Sequence, residues 1–251
     1  MNIKNGTIRN IKELSDKQFG TIIGLGFVGL FLYSALYYYG IAELSAQEAC
    51  ILNYLWPIML VVFSCILLKE KLTVMKVVAM GCSFAGIVIL SIGDGSSGTG
   101  NRVLGMAACI IAAACYGWFS VMNKKLDYEQ NTFMMLVWLT VSISSCGFGL
   151  MTEKWVPLTG ARWLGMLWLG VVVDGLAYLL WALALKGVEN TAAIANLAYL
   201  TPFLSLVVSA IFLKEQITMR AVAALVFIMG GILMQSLFEN RNKDKGCEKQ
   251  S

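Results

Sequence analysis

The sequence predicts an all-α membrane protein of eight spanning helices, and three observations predict it. First, the chain has 251 residues of which 58% are hydrophobic and only 14% charged, with a mean hydropathy of +0.73. A soluble domain is nearer one quarter charged and less than half apolar, so 19 basic and 15 acidic side chains are too few to coat a water-facing surface. Second, about 20 apolar residues at 1.5 Å each cross the hydrocarbon, and eight stretches qualify: 19–41, 49–68, 74–92, 103–122, 132–151, 163–185, 191–213 and 220–238. Third, the chain matches itself without gaps at an offset of 145 residues.

Taken in order, span 19–41 is too long for a cleaved signal sequence, has no small-residue cleavage site, and is followed almost at once by re-entry into the membrane. Span 49–68 carries Pro57 and is followed by Lys69-Glu70, read as a helix cap or interfacial anchor. Span 74–92 leads into a Gly/Ser-rich link, 93–102. Its glycines form no phosphate loop, since no Lys-Ser/Thr follows and there is no strand–helix context. Spans 103–122 and 132–151 are uninterrupted. Span 163–185 has Asp174 near its middle, span 191–213 has Pro202, and span 220–238 precedes a polar tail, 239–251. Gly20, Gly24, Gly81, Gly86, Gly230 and Gly231 are expected to let helices approach closely.

Lys and Arg set the orientation of short loops. With the N-terminus in the cytoplasm, the inner segments hold Lys4, Arg9, Lys12, Lys17, Lys69, Lys71, Lys76, Lys124, Lys125, Lys186, Arg241, Lys243, Lys245 and Lys249, and the outer ones hold Arg102, Lys154, Arg162, Lys214 and Arg220. Both termini are therefore expected inside, and Trp155 and Trp163 fit an outer aromatic belt. The net charge of +4 is a topology signal, because the basic residues are too sparse and scattered for nucleic acid. With no histidine, imidazole catalysis and His-based zinc sites are excluded. The seven cysteines form no CxxC pair, and six lie in apolar runs as small packing residues. No metal, cofactor or catalytic residue is expected.

The internal match aligns 46–91 with 191–236 at 16 of 46 positions, including Tyr54/Tyr199, Leu55/Leu200, Pro57/Pro202, Lys69/Lys214, Glu70/Glu215, Thr73/Thr218 and Gly86/Gly231. Apolar helices match by chance through Leu, Val and Ala, but Tyr-Leu-x-Pro followed at a fixed distance by Lys-Glu-x-x-Thr is far harder to obtain that way. Span 49–68 runs outward to inward and 191–213 the reverse, so the repeats are inverted, as alternating access requires. The domains are then a partial repeat of three helices (1–92), the link (93–102), a complete repeat of five helices (103–238) and the cytoplasmic tail. At the same offset, 103–122 and 132–151 would map to −42 to −23 and −13 to 6. Two helices are thus missing from the first repeat, in a natural eight-helix variant or, the favoured reading, by truncation.

The stretches ILNYLWPIMLVVFSCILLKEKLTVMKVVAMGCSFAGIVIL and ANLAYLTPFLSLVVSAIFLKEQITMRAVAALVFIMGGILM, each a Pro-bearing helix, a Lys-Glu cap and a Gly-bearing helix, resemble the EamA family of the drug/metabolite transporter superfamily. The resemblance covers essentially the whole chain. It implies an inverted-repeat bundle, typically of ten helices with both termini inside, and secondary transport of small metabolites, often export; this chain departs by lacking the first two helices. The string Asn53-Tyr54-Leu55-Trp56-Pro57 is similar to one in the family's aromatic amino-acid exporters.

Asp174 is the one acidic or basic side chain near the middle of a predicted span, which makes it the coupling candidate, with protons as the coupled ion. Its bland alternative is a carboxylate buried against a backbone or hydroxyl partner. Pro57 and Pro202 each free a carbonyl and bend a helix. Beside them lie Asn53, Tyr54 and Trp56 in one repeat and Asn196, Tyr199 and Thr201 in the other. Matching interruptions in two repeats point to a central site, so these six are expected to bind substrate, against the alternative that they only fill space. Glu43 and Glu48, by the outer mouth, are read as surface-loop residues. The expected partners are a small-molecule substrate, the bilayer and protons; a homodimer is compatible with the pattern. Small-metabolite export leads. Efflux of hydrophobic cations, an inactive truncated fragment and a membrane enzyme are the rivals, the last lacking any cluster of nucleophile, base or metal ligands.

Overall fold

The structure is a computed structural model that describes residues 14–44, 46–91, 100–152, 160–201 and 219–248, with isolated positions 204, 207, 208 and 211. All regular elements among the described residues are helical. Four helices are long and apolar enough to span a bilayer: α1 (Asp16–Glu43), α5 (Arg102–Lys125), α6 (Gln130–Thr152) and α7 (Arg162–Lys186). Five further helices fall at the other expected spans, with shorter apolar stretches: α2 (Ala46–Asn53) and α3 (Trp56–Leu67), α4 (Val74–Ser91), α8 (Thr191–Leu197) and α9 (Met219–Glu248). The link at 93–99, Pro202 and Lys214-Glu215 fall outside the described residues. Helix α9 runs ten residues past the expected end of its span, into the polar tail.

Local chemistry sets the boundaries. Ser15 caps α1 in a reciprocal box with Gln18. Asn101 caps α5 by accepting from the Leu104 N–H at 3.2 Å, and Asn190 caps α8 through the Ala192 N–H. Glu129 does the same for α6, accepting from the backbone N–H groups of Asn131 (3.0 Å) and Thr132 (2.7 Å). Lys69 sits at φ 56, in the left-handed region that side chains other than glycine's adopt at a cost. That residue turns the chain after α3 and lets the Glu70 N–H reach back to the Ser64 carbonyl.

The two proline-bearing spans break at matching places. The first ends as α2 at Asn53, turns at Tyr54–Leu55 and restarts as α3 at Trp56. Pro57 therefore lies in the first turn of a new helix, where its missing N–H costs nothing. The expected bend is in fact an interruption. The second span ends as α8 at Leu197 and tightens to a 3₁₀ turn over Ala198–Leu200, 145 positions after the first break.

Helix ends collect at two poles. One holds Leu14 and Gln18 beside Asp127, Glu129 and Thr132, the Lys186 ammonium on the Tyr128 carbonyl, and Glu70 with Lys124 and Thr191. The other holds Glu43 against Asn101 and Glu48 against Arg102. Glu43 and Glu48 are thus tied down rather than loose. Between the poles α5 packs on α1 and α3, with Gly117 of α5 so close to α3 that a Cβ would lie 2.8 Å from the Leu60 nitrogen.

Helices α4 and α9 pack across the offset. A Cβ on Gly86 would meet the Ala224 carbonyl oxygen at 2.8 Å, and one on Gly231 would meet the Ala79 carbonyl oxygen at 2.5 Å. Residues 86 and 231, and 79 and 224, are each 145 apart, so the two approaches are reciprocal. The Ser83 hydroxyl donates to the Ile228 carbonyl at 3.3 Å, a pair again 145 apart. Of the six glycines expected at helix contacts, only these two are; Gly20, Gly24, Gly81 and Gly230 have nothing within 4 Å of a Cβ. Coverage differs between offset-related helices: 28% of the apolar stretch of α1 is buried against 6% of that of α7, because α5 and α6 cover α1.

Candidate functional site

An open pocket of about 250 Å³ lies where the broken spans face α1, α5 and α7; it is lined by Tyr33, Trp56, Tyr116, Ala177, Tyr178, Trp181, Ala198 and Thr201. Trp56, the first residue of α3, owes its place to the break before it. Its indole stands edge-on to Tyr116 (centroids 5.0 Å, 81°) and to Trp181 (5.1 Å, 89°). Tyr116 in turn touches Tyr33 at 5.1 Å and Tyr178 at 5.7 Å. Edge-to-face packing of this kind is one of the preferred arrangements of aromatic rings.

Two pairs of lining residues are related by the offset: Tyr33 with Tyr178, and Trp56 with Thr201. A third such pair, Tyr54 and Tyr199, meets nearby with ring centroids 6.5 Å apart. The cavity is therefore built from matching positions of the two halves.

The sequence-derived candidates divide accordingly. Trp56 and Thr201 line the cavity. Asn53 stands one contact behind it, its side-chain oxygen accepting from the Tyr33 hydroxyl at 3.3 Å. Tyr54 and Tyr199 pack with Ile58, Phe84 and Ile228, and Asn196 and Tyr199 are fully buried, at 1% and 0% exposure. Pro57 is buried at the head of α3, and Pro202 lies outside the described residues. Asp174 is half-buried in α7, within a wide turn of i→i+5 hydrogen bonding over Trp168–Leu176 that ends just before the lining residues Ala177 and Tyr178. Such wide turns recur at functional sites.

Tyr33, Tyr116, Tyr178 and Trp181 were missed. The signal was available for two of them, because continuing the 145-residue offset upstream of the matched block pairs Tyr33 with Tyr178. No signal marked Tyr116, whose offset partner would precede residue 1. Among the described residues no group of His, Cys, Asp and Glu could hold a metal.

Comparison with known proteins agrees with this architecture. The sequence model of the EamA-like transporter family matches residues 5–92 and 103–237. The aromatic amino acid exporter YddG of Ancylobacter novellus is 28% identical over 86% of this chain and 76% of its own. The uncharacterized transporter YvbV of Bacillus subtilis is 28% identical over 81% of this chain and 67% of its own. A solved structure, 25% identical in sequence, superposes with a TM-score of 0.79 over 88% of this chain and 77% of that one.

Proposed function

The chain belongs to the EamA-like transporter family and is a multi-pass membrane protein, and from that premise we propose that it exports small organic metabolites, aromatic amino acids among them, across the plasma membrane. The observation that carries this reading is the aromatic cavity built from offset-related pairs, Tyr33/Tyr178 and Trp56/Thr201. A site on the axis between two matching halves faces either side equally well when the halves exchange conformations. The reciprocal contacts of Gly86 and Gly231 support the inverted relation of the halves. The basic residues of the Lys124 and Lys186 pole support placing it, with both termini, in the cytoplasm.

Size and chemistry narrow the substrate. Drug-sized ligands occupy pockets of about 300–1,000 Å³, and this cavity, at about 250 Å³, suits something smaller. Tyr and Trp faces stack a planar group, while the Tyr hydroxyls offer polar contacts. Asp174, next to this wall along α7, is the group for proton coupling. A second reading, efflux of small hydrophobic cations, draws on the same Asp174 and on the affinity of Trp and Tyr rings for cations. In vesicles from cells lacking endogenous exporters, aromatic amino acids and a lipophilic cation are offered separately under an imposed proton gradient. Gradient-driven movement of the amino acid, inhibited by other aromatic amino acids, supports the first reading. Movement of the cation alone selects the second, and movement of neither removes both.

A further inference from the structure

We propose that Glu70, Lys124 and Thr191 form a latch that holds one mouth of the cavity shut and must open for the cavity to face that side. The inference rests on the alternating-access reading above. Glu70 lies just after α3, Lys124 at the end of α5, and Thr191 at the start of α8. The Lys124 ammonium donates to the Glu70 carboxylate at 3.0 Å and to the Thr191 hydroxyl at 2.8 Å. Thr191 then donates twice to Glu70, through its backbone N–H at 3.1 Å and through its hydroxyl. The charged side chains are only 12% and 16% exposed, and Thr191 is wholly buried. For a pair so shielded from water the mutual attraction is less screened than at a surface, and removing one partner leaves the other charge buried and unpaired.

Its place in the fold makes it a latch rather than a brace. Helices α3 and α5 are already joined, with Gly117 seated on the α3 backbone, and α2 is tied to α5 by Glu48 and Arg102 at the far pole. The bonds to Thr191 are different, because they tie this unit to the first residue of α8. That same segment carries the lining residues Ala198 and Thr201, and the 3₁₀ turn over Ala198–Leu200 interrupts it just there. Between latch and cavity lies an apolar plug of Leu60, Val61, Val121, Leu185, Ala192 and Ala195, against which Trp56 and Trp181 pack from the cavity side. Freeing Thr191 lets α8 pivot about its break and draw Ala192 and Ala195 out of the plug. The offset partner of Thr191 is Ala46, which has no hydroxyl, so the hydroxyl of this device has no counterpart at the matching position.

The test reads access to the plug and needs no substrate. In membranes, Ala195→Cys is reacted with a small maleimide, and the peptide bearing position 195 is quantified by mass spectrometry. The parent is expected to be protected, since Ala195 is fully buried. Adding Thr191→Val, which keeps shape and removes the hydroxyl, or Glu70→Gln is expected to raise the labelling rate at least fivefold. Glu48→Gln, at the other pole, is expected to leave it within twofold. Equal protection in the Thr191→Val and Glu70→Gln proteins overturns the latch, and so does an equal rise with Glu48→Gln, which would report general loosening. Labelling that rises as expected in a protein that moves no substrate supports the latch and removes the transport reading. Measured export with flat labelling removes the latch alone.

Discussion

Replacing Gly231 with alanine should destabilise the protein, while the same change at Gly230 should stabilise it. Both glycines lie in the interior of α9, so both substitutions gain the same helix propensity, about 0.8–1 kcal/mol for Gly→Ala in a helix interior. Their surroundings differ. Gly230 has nothing within 4 Å of a Cβ, whereas a Cβ on Gly231 would lie 2.5 Å from the Ala79 carbonyl oxygen and 3.0 Å from the Ser83 nitrogen, both backbone atoms of α4. Backbone cannot rotate away as a side-chain end can, so α4 and α9 must separate. Overpacking of this kind costs roughly 1–3 kcal/mol, and that cost is the expected gap between the two variants. At about 2–4 °C per kcal/mol for a chain near this size, the gap is roughly 2–12 °C in apparent Tm. Intrinsic fluorescence during heating in a mild detergent, with both variants scanned at one rate, measures it. The reciprocal pair supplies a replicate: Gly86→Ala should fall and Gly81→Ala, also open, should not. A Gly231→Ala protein as stable as Gly230→Ala would refute the close α4–α9 packing and the reciprocity drawn from it.

Three further outcomes are expected. Asp174→Asn should abolish transport or uncouple it from the proton gradient while expression stays intact, measured as gradient-driven flux in vesicles at several pH values; unchanged flux with unchanged pH dependence would sink the coupling assignment. Trp56→Ala removes one stacking face, about 0.5–1.5 kcal/mol, and should raise KM roughly 2- to 12-fold with the protein still folded, whereas an unaltered KM would take the substrate out of this cavity. Partial burial pushes the Glu129 carboxyl up, but hydrogen bonds from Thr132 and Asn131 outweigh it and hold the group below its ordinary value. Its contribution to stability is therefore present above the unfolded carboxyl range, near 4.3, and is lost as pH falls through the lower folded value. Glu129→Gln should lower stability at pH 7 by roughly 0.5–2 kcal/mol, as loss of a cap does, and flatten the acid-side decline in Tm.

Four of the spans were legible because hydropathy is additive along a chain: 19–41, 103–122, 132–151 and 163–185 coincide with helices long and apolar enough to cross a bilayer, while the other four stretches hold shorter apolar helices among the described residues. The helix breaks were half legible. Pro57 announced a disturbance, but whether a proline bends a helix or heads a new one depends on the residues before it, and the turn at Tyr54–Leu55 has no composition signal of its own. Glycine spacing misled for a physical reason. A glycine permits close approach without causing it, and only Gly86 and Gly231 of the six face a neighbouring backbone. Similarly, Lys69-Glu70 reads as a cap, since nothing local shows that Lys124 and Thr191, 54 and 121 residues away from Glu70, will meet it. Long-range polar contacts carry no periodicity, and this one joins Glu70 of the first half to Lys124 and Thr191 of the second.

Rigid and movable parts follow from where the offset-related contacts fall. Helices α4 and α9 meet through backbone, at Gly86 on Ala224 and Gly231 on Ala79. Such a contact admits no repacking of side chains, so these helices stay together in any exchange between the halves. The aromatic contacts around the cavity are of the opposite kind. Tyr33, Trp56, Tyr116 and Tyr178 touch through ring edges and faces, which slide at small cost because each pair has several offset and edge-on arrangements of similar energy. The helix breaks sit at this sliding region, at Tyr54–Leu55 and Ala198–Leu200, and away from the glycine contact. In the alternating-access reading proposed above, motion concentrated at the breaks changes the walls of the cavity while the α4–α9 pair keeps its register. That division has a consequence for substitutions: a change at Gly231 should cost stability before it costs transport, and a change at Trp56 should do the reverse.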